Sequence, residues 1–203
     1  GYLYVIGSTD EYSQDGESES WGLDDLIILD LEDPSNPTKV GGWSGEYLHD
    51  VCIDGDLLYG CAIYVDEMYV FDISDKSNPS LISTWPGIPK AHACWVSEDS
   101  QTVFTGSETT GGHIMSWDVS DLSNVEFLDA WLPDGGEDWS AHNVFVLDDM
   151  LYISYYIYGL QVLDITDPSN LELVAFYDTF NQETDYIYTG AWGAFPYFDS
   201  DKI

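Results

Sequence analysis

An eighteen-residue pattern occurs four times in this chain and constrains its fold more than any other feature. The copies are LIILDLEDPSNPTKVGGW, MYVFDISDKSNPSLISTW, IMSWDVSDLSNVEFLDAW and LQVLDITDPSNLELVAFY, and they align without gaps. Their leading aspartates are 42, 46 and 46 residues apart, at Asp30, Asp72, Asp118 and Asp164. Self-similarity at a fixed period of this length is typical of repeat architectures.

Each copy predicts a strand, a polar turn and a second strand. The run before the leading aspartate is rich in Ile, Leu, Val and Tyr, which favour strands. The following Asp-x-x-Asp-x-Ser-Asn stretch is typical of turns, because these side chains bond nearby backbone amides. An aromatic residue ends the second strand in every copy: Trp43, Trp85, Trp131 and Tyr177. We expect this aromatic series to pack between repeat units, with sugar stacking as the alternative role.

Two further strand-like segments precede three of the four copies, as in HNVFVLDDMLYISYY before the last one. Four short antiparallel strands in each period of 42–46 residues indicate a propeller blade. The sequence therefore predicts an all-β fold, a β-propeller of four-stranded antiparallel blades, with residues 1–203 as one domain.

The number of blades depends on the two ends of the chain. The first unit has no innermost strand, whereas GAWGAFPYFDSD near the C-terminus resembles one. If this tail strand completes the first blade, the chain forms a closed ring of four blades without exposed sheet edges. The alternative is that the chain is a fragment of a larger propeller.

The four copies resemble the LVIVD repeat, which is named for a strand that ends in Asp. The wider arrangement is similar to the choice-of-anchor B family of exported bacterial and archaeal proteins. The segments that carry this resemblance are LHDVCI, AHACWVSED, AHNVFVLDDMLYISYYIYGLQVLDI and GAWGAFPYF. The glycine that often precedes the third strand of a blade is present at Gly159 alone. The resemblance implies a surface-displayed propeller with a variable anchor and no established catalytic reaction.

The composition excludes several classes of partner. Only 4 Lys+Arg oppose 38 Asp+Glu, which gives a net charge of −34, whereas nucleic acids and anionic lipids require basic patches. No apolar run is long enough to insert in a membrane. A charge of this size requires screening by cations. We therefore expect an extracellular or cell-surface location, with the cytosol of an acidic halophile as the competing interpretation.

Three of the four histidines begin the predicted innermost strands: His49, His92 and His142. Trp192 takes the same position in the tail strand. Because these strand starts share one face of a propeller, we expect the imidazoles to rim one mouth of the central channel. Acidic loops are expected at the same mouth, including the insert at residues 11–20 and Glu46, Glu137, Asp138, Glu183 and Asp185.

The histidine rim has three possible roles: packing between blades, binding of a transition metal, and catalysis. Imidazoles beside carboxylates suit transition metals. The repeated aspartates could bind calcium, but the turns lack the glycine and distal glutamate of an EF-hand loop, so turn capping is favoured. His113 is interpreted as an exposed turn residue. The three cysteines, Cys52, Cys61 and Cys94, are expected to be buried, unreactive thiols.

No G-x-S-x-G, H-E-x-x-H or P-loop motif is present. The sequence therefore favours a non-enzymatic extracellular module that presents a rigid propeller face to a surface protein, a glycan or a cation. A metal-dependent enzyme that uses the histidine rim is the first alternative. A structural subunit that self-associates in a surface layer or filament, with divalent cations such as calcium as bridges, is the second.

Overall fold

The computed structural model describes residues 1–7, 25–180 and 182–198. The predicted acidic insert at residues 11–20 lies outside the described residues. The described part contains fifteen strands and a short 3-10 helix, Gly136–Asp138. No helix in these ranges is long and apolar enough to cross a membrane.

The strands form four antiparallel sheets, which we call blades 1 to 4. Blade 1 has three described strands: β1 (Tyr2–Ile6), β2 (Leu26–Asp30) and β3 (Thr38–Trp43). Blade 2 contains β4 (Asp50–Asp54), β5 (Leu57–Ala62), β6 (Glu67–Asp72) and β7 (Ser80–Pro86). Blade 3 contains β8 (Ala91–Val96), β9 (Thr102–Ser107), β10 (Ile114–Asp118) and β11 (Glu126–Trp131). Blade 4 contains β12 (Val144–Leu147), β13 (Met150–Ser154), β14 (Leu160–Asp164) and β15 (Glu172–Tyr177).

The strands of each blade pair in sequence order, as expected for a propeller. The β-propeller prediction is confirmed. In every blade the last two strands are offset by a β-bulge at the same repeat position, for example between Val70 and Phe71 and between Val162 and Leu163. An identical irregularity in all four blades shows that the repeat extends to backbone geometry.

The repeated aspartates cap the turns between the last two strands. The leading aspartate accepts a hydrogen bond from the amide two residues later; for Asp118 and Ser120 the distance is 2.9 Å. The second aspartate does the same, and Asp121 also accepts the hydroxyl of Ser123 at 2.6 Å. Equivalent bonds occur at Asp30, Asp72 and Asp164. The turn-capping prediction is confirmed.

Each described turn from blade 2 onward also contacts the last strand of the preceding blade. In that preceding blade, the contact is made by the residue that lies eleven positions after the blade's own leading aspartate. Ser83 donates to the carbonyl of Leu122 at 2.7 Å, and Asp129 accepts from the amide of Leu171 at 2.8 Å. At Gly41 a Cβ atom would lie 2.0 Å from the Lys76 carbonyl oxygen. Consecutive blades are thus joined at their outer strands.

Apolar layers join consecutive blades closer to the channel. Among the described residues, three buried clusters connect blade 1 with 2, blade 2 with 3, and blade 3 with 4, and none connects blade 4 with blade 1. The aromatic series lies in these layers: Trp43 contacts Phe71, Trp85 contacts Trp117, and Trp131 contacts Tyr155. Tyr177 is 70% exposed, because no described blade follows blade 4. The predicted packing role is therefore confirmed for the three tryptophans.

The tail lies elsewhere than the sequence predicts. The tail strand at residues 190–201 is expected to pair with β1, but blade 1 has three described strands, and the described part of the tail forms one isolated bridge, between Tyr156 and Ala191. Phe195 and Tyr197 instead pack on Phe145 of β12. The tail therefore lies on the innermost strand of blade 4, where Phe195 and Tyr197 contact Phe145 but stay partly exposed. The four described blades form an arc without an observed closing contact.

Gly159 provides a test of how strictly the repeat backbone is constrained. Its φ is +72°, and a Cβ atom there would lie 2.2 Å from the Tyr177 carbonyl oxygen. We expect Gly159→Ala to lower the free energy of unfolding by about 1–3 kcal/mol or more, through backbone strain plus this clash. Urea unfolding followed by tryptophan fluorescence would measure the change.

Gly193→Ala is the matched control, since no atom lies within 4 Å of the added Cβ and the residue is not in the left-handed region. Equal stability of the two variants would show that the turn before β14 is free to relax.

Candidate functional site

The structure brings His49, His92 and His142 together at one end of the innermost strands of blades 2, 3 and 4. The ring centroids of His49 and His92 are 4.5 Å apart, and those of His92 and His142 are 4.3 Å apart. His92 is 5% exposed and His142 is 9% exposed, whereas His49 is half-buried. The three imidazoles thus form one continuous row of tilted rings, as the common strand position predicts.

The innermost strand of each blade positions one of these rings. His49 directly precedes β4, and its amide donates to the Cys61 carbonyl at 2.8 Å. His142 lies two residues before β12 and bonds the Ser154 carbonyl at 3.0 Å. His92 lies inside β8 at a register shift between Ala91 and Ala93. A bulge of this kind redirects a side chain without ending the strand.

Glu108 completes the cluster, and the sequence analysis did not identify it. One carboxylate oxygen of Glu108 lies 3.5 Å from His92 Nε2, and the other lies 3.9 Å from His142 Nε2. Glu108 follows β9, at the connection between the second and third strands of blade 3. That connection lies on the same face as the starts of the innermost strands. This shared face is the signal that could have identified Glu108.

Two aromatic residues hold the carboxylate and His142. The Tyr156 hydroxyl donates to Glu108 Oε1 at 2.5 Å and accepts from Trp192 Nε1 at 3.1 Å. The Trp192 ring stacks on His142 with an interplanar angle of 10°. The Trp192 carbonyl accepts a hydrogen bond from His142 Nδ1 at 2.6 Å. This bond places the His142 proton on Nδ1 and leaves the Nε2 lone pair facing Glu108.

Burial keeps the imidazoles neutral. Burial first, and then the neighbouring rings of His142 and His49, lower the pKa of His92 to about 3. Burial also lowers the pKa of His49 and His142. At neutral pH the contacts with Glu108 are therefore not ion pairs, and the ring lone pairs are available for a ligand.

The cluster opens into a cavity of about 410 Å³, which is lined by His49, Asp50, His92, Glu108, His142, Asn143 and Trp192. Burial raises the pKa of Asp50 to about 7, so this acid is partly protonated at neutral pH. A second cavity of about 490 Å³ lies at the outer edge between blades 3 and 4, and contains no histidine or glutamate. The chemistry of the first cavity, rather than its size, makes it the candidate site.

Three side chains of the cluster could hold a metal ion. Within the described residues, His49, His92 and Glu108 form the one group whose potential ligand atoms all lie within 4.8 Å of one another. His92 Nδ1 is buried and makes no hydrogen bond in the described part of the chain. Metal ligation by His49 and His92 stays a prediction, and His142 lies beside this group rather than inside it.

Other predicted site features lie apart from the cluster. None of the five acidic loop residues, Glu46, Glu137, Asp138, Glu183 and Asp185, lines the cavity. His113 is half-buried rather than exposed, and its Nδ1 lies 2.8 Å from the Gly111 carbonyl oxygen. The three cysteines are buried and unpaired, as predicted.

The LVIVD-repeat model matches residues 22–43, 45–85 and 139–179, which together make up about half of the chain. The chain belongs to the LVIVD-repeat family. The third repeat, from Ile114, is outside these matches. It nevertheless belongs to a separate four-stranded sheet with the same strand order as blades 2 and 4. No curated protein matches this LVIVD-repeat sequence.

Solved structures share the fold at low sequence identity. A periplasmic gluconolactonase from Pseudomonas aeruginosa is 16% identical, with a TM-score of 0.61 over 78% of this chain and 51% of that one. A protein from Lactobacillus plantarum is 18% identical, with a TM-score of 0.63 over 76% and 51%. A hypothetical selenium-binding protein from Sulfolobus tokodaii is 15% identical, with a TM-score of 0.61 over 85% and 46%. This LVIVD-repeat chain spans about half the length of these structures.

The lowered pKa of His92 predicts a pH dependence of stability. A histidine that is neutral in the folded protein but protonates in the unfolded chain favours unfolding as the pH falls below about 6.5. His92→Gln removes this effect. We expect the loss of unfolding free energy between pH 7 and pH 5, measured by urea unfolding in EDTA, to be about 2 kcal/mol smaller in the variant than in the wild type.

Asp50 acts in the opposite direction, because its raised pKa makes its protonation favour the folded state as the pH falls from about 7 toward 3.8. Asp50 is unchanged in both proteins, so the comparison isolates His92. His113→Gln is the control and should keep the wild-type pH dependence. Identical curves for all three proteins would contradict the buried, neutral state of His92.

Proposed function

We propose that this chain is a cation-binding propeller module that holds a divalent transition-metal ion at one mouth of its channel. The ligands are His49, His92 and Glu108. The observation that carries the proposal is the convergence of these three side chains, from two blades, with their potential ligand atoms within 4.8 Å of one another.

The donor set and its spacing fit such an ion. Two imidazoles and one carboxylate are a common ligand set for zinc. Ligand atoms bound at about 2.0–2.1 Å to a tetrahedral ion lie about 3.4 Å from one another. The ligand atoms here lie within 4.8 Å of one another, so side-chain rotations must bring them closer by up to about 1.4 Å. His92 Nδ1 is buried and has no hydrogen-bond partner among the described residues. A metal ion bound to the ring would add a bond that the surrounding protein groups do not provide.

Surrounding groups orient the cluster as partners of metal ligands do. Glu108 accepts the Tyr156 hydroxyl, and His49 Nδ1 lies 3.3 Å from the Tyr47 hydroxyl. Hydrogen bonds of this kind fix the rotamer of a ligand and raise metal affinity. His142, held by the Trp192 carbonyl, is placed as a further ligand or as a neighbour of bound water.

The rim around the site provides a surface for a larger partner. Tyr64, which packs on Tyr47, is 67% exposed, and Trp192 is 68% exposed. Exposed aromatic rings beside a polar cavity suit contacts with a glycan or a surface protein. The net charge of −34 supports a location outside the cell, where cations screen the chain, and supports calcium-bridged self-association as a further use of the same charge.

Zinc binding tests the proposal directly. We expect the wild type, freed of metal with a chelator, to bind one Zn²⁺ by calorimetry, in excess Ca²⁺ so that surface carboxylates are occupied. His92→Ala and Glu108→Gln should each weaken this binding at least about tenfold, because each removes a ligand.

His113→Ala is the matched control, because it removes a histidine outside the cluster and should leave the affinity unchanged. Binding that is equally strong in all four proteins, with each variant folded by circular dichroism, would exclude this site.

A metal-dependent hydrolase is the second candidate, and the placement of Tyr156 favours it. Its hydroxyl is 2.5 Å from Glu108, which lines the cavity of about 410 Å³, and it could donate a hydrogen bond to an oxygen atom of a substrate bound there. A metal ion at this site would acidify a water molecule. Burial and the bond to Glu108 raise the pKa of Tyr156 far above its ordinary value, so the phenol keeps its proton.

Hydrolysis of gluconolactone separates the two candidates, since a gluconolactonase has the same fold. If the chain is an enzyme for such lactones, the zinc-loaded wild type should accelerate hydrolysis, and Tyr156→Phe should slow it at least about tenfold while it keeps its zinc. We expect no acceleration above buffer for a binding module. Acceleration that is lost in Tyr156→Phe would favour the enzyme.

A further inference from the structure

Two cysteines from neighbouring blades face each other below the histidine cluster. Cys52 lies in β4 of blade 2 and Cys94 lies in β8 of blade 3. Their Sγ atoms are 3.3 Å apart, and the residues are 5% and 2% exposed. Such proximity of two free thiols on separate sheets results from the close packing of the innermost strands.

The position of this pair, at the boundary of two blades, suits a covalent link. β4 and β8 are adjacent innermost strands, and both cysteines belong to the apolar cluster that joins blades 2 and 3. A disulfide requires an S–S distance of about 2.05 Å, so the two sulfur atoms must approach by a little more than about 1 Å. Rotation of two short side chains can supply this approach without any change in strand pairing.

The third cysteine has a different environment. Cys61 is in β5, is fully buried, and its Sγ lies 3.6 Å from the Met68 Sδ. It is near Cys94 as well, so it is the natural competitor for this residue. Cys52 differs from Cys61 because it lines a cavity of about 230 Å³, together with Asp54, Glu98 and Tyr197. A small molecule in this cavity can therefore reach Cys52.

We propose that Cys52 and Cys94 are a peroxide-sensitive pair that closes to a disulfide between blades 2 and 3. A peroxide oxidises one thiol of the pair to a sulfenic acid, and one molecule of water or alcohol leaves from the peroxide. The sulfur of the other cysteine then attacks the oxidised sulfur, the S–O bond breaks, and water leaves with the proton of the second thiol. Both thiols are oxidised together by two electrons, and the peroxide O–O bond is reduced.

The bond would connect two sheets that are otherwise held by side-chain packing. It closes a loop from residue 52 to residue 94, and a cross-link over a loop of this length restricts the unfolded chain strongly. The oxidised protein should therefore unfold at a temperature several degrees above that of the reduced protein. The metal cluster is not required for this reaction, so the inference is independent of the proposed function.

Peptide mapping after peroxide treatment tests the pair. Folded, reduced, metal-free wild type is treated with stoichiometric hydrogen peroxide, unfolded in the presence of iodoacetamide, digested and analysed by mass spectrometry. We expect one cross-linked peptide pair that contains Cys52 and Cys94, about 2 Da lighter than the sum of the two thiol peptides, and an alkylated Cys61. Dithiothreitol should remove the cross-link and the gain in unfolding temperature.

The variants make the assignment specific. Cys61→Ser should form the same cross-link, whereas Cys52→Ser should form none and should show no thermal shift with dithiothreitol. If the buried Cys52→Ser protein does not fold, the wild-type map alone decides. Alkylation of all three cysteines after peroxide, a Cys61–Cys94 cross-link, or oxidation of Cys52 to a sulfinic acid without a cross-link would each overturn the proposal.

Discussion

Packing of each blade against its neighbour is the interaction on which this structure depends. A single four-stranded sheet of this length has one or two apolar faces and no core of its own, so it is stable only when another sheet covers it. Buried apolar clusters provide this cover at the three described boundaries between consecutive blades. A tryptophan at each boundary and contacts between the outer strands and the next turn add to these clusters. The strand order within each blade follows from the short turns.

The candidate site is a consequence of the same radial arrangement. Because the innermost strands of blades 2, 3 and 4 lie side by side, equivalent positions in neighbouring blades are close together, and a histidine at each strand start produces a row of three tilted imidazoles. Close packing removes water from these rings and keeps them neutral. The site thus obtains uncharged ring nitrogens from the architecture itself, and the loops add one carboxylate, from Glu108, and two aromatic residues, Tyr156 and Trp192.

Features that repeat could be predicted from the sequence, and features that occur once could not. The spacing of the leading aspartates indicated the blades and the capped turns, and the common position of His49, His92 and His142 indicated their convergence. Glu108 and Tyr156 occupy loop positions with no counterpart in the other units, so no internal comparison marked them. The tail was misplaced because its alternating aromatic pattern suits any uncovered inner strand. Its position on β12 was decided by the ring contacts with Phe145, which strand patterning does not encode.

The outer junctions between blades also have a consequence for the order of the repeats. The residue beside the bulge is Gly41 in the first unit, Ser83 in the second and Asp129 in the third, and each makes a different contact with the turn that follows it. Glycine, a serine hydroxyl and an aspartate carboxylate differ in size and in the hydrogen bonds that they can form. The three units that precede a described junction therefore share one outline but differ in the contact that each makes with the next turn. This divergence means that the chain has a defined direction around the arc, with each repeat suited to one successor.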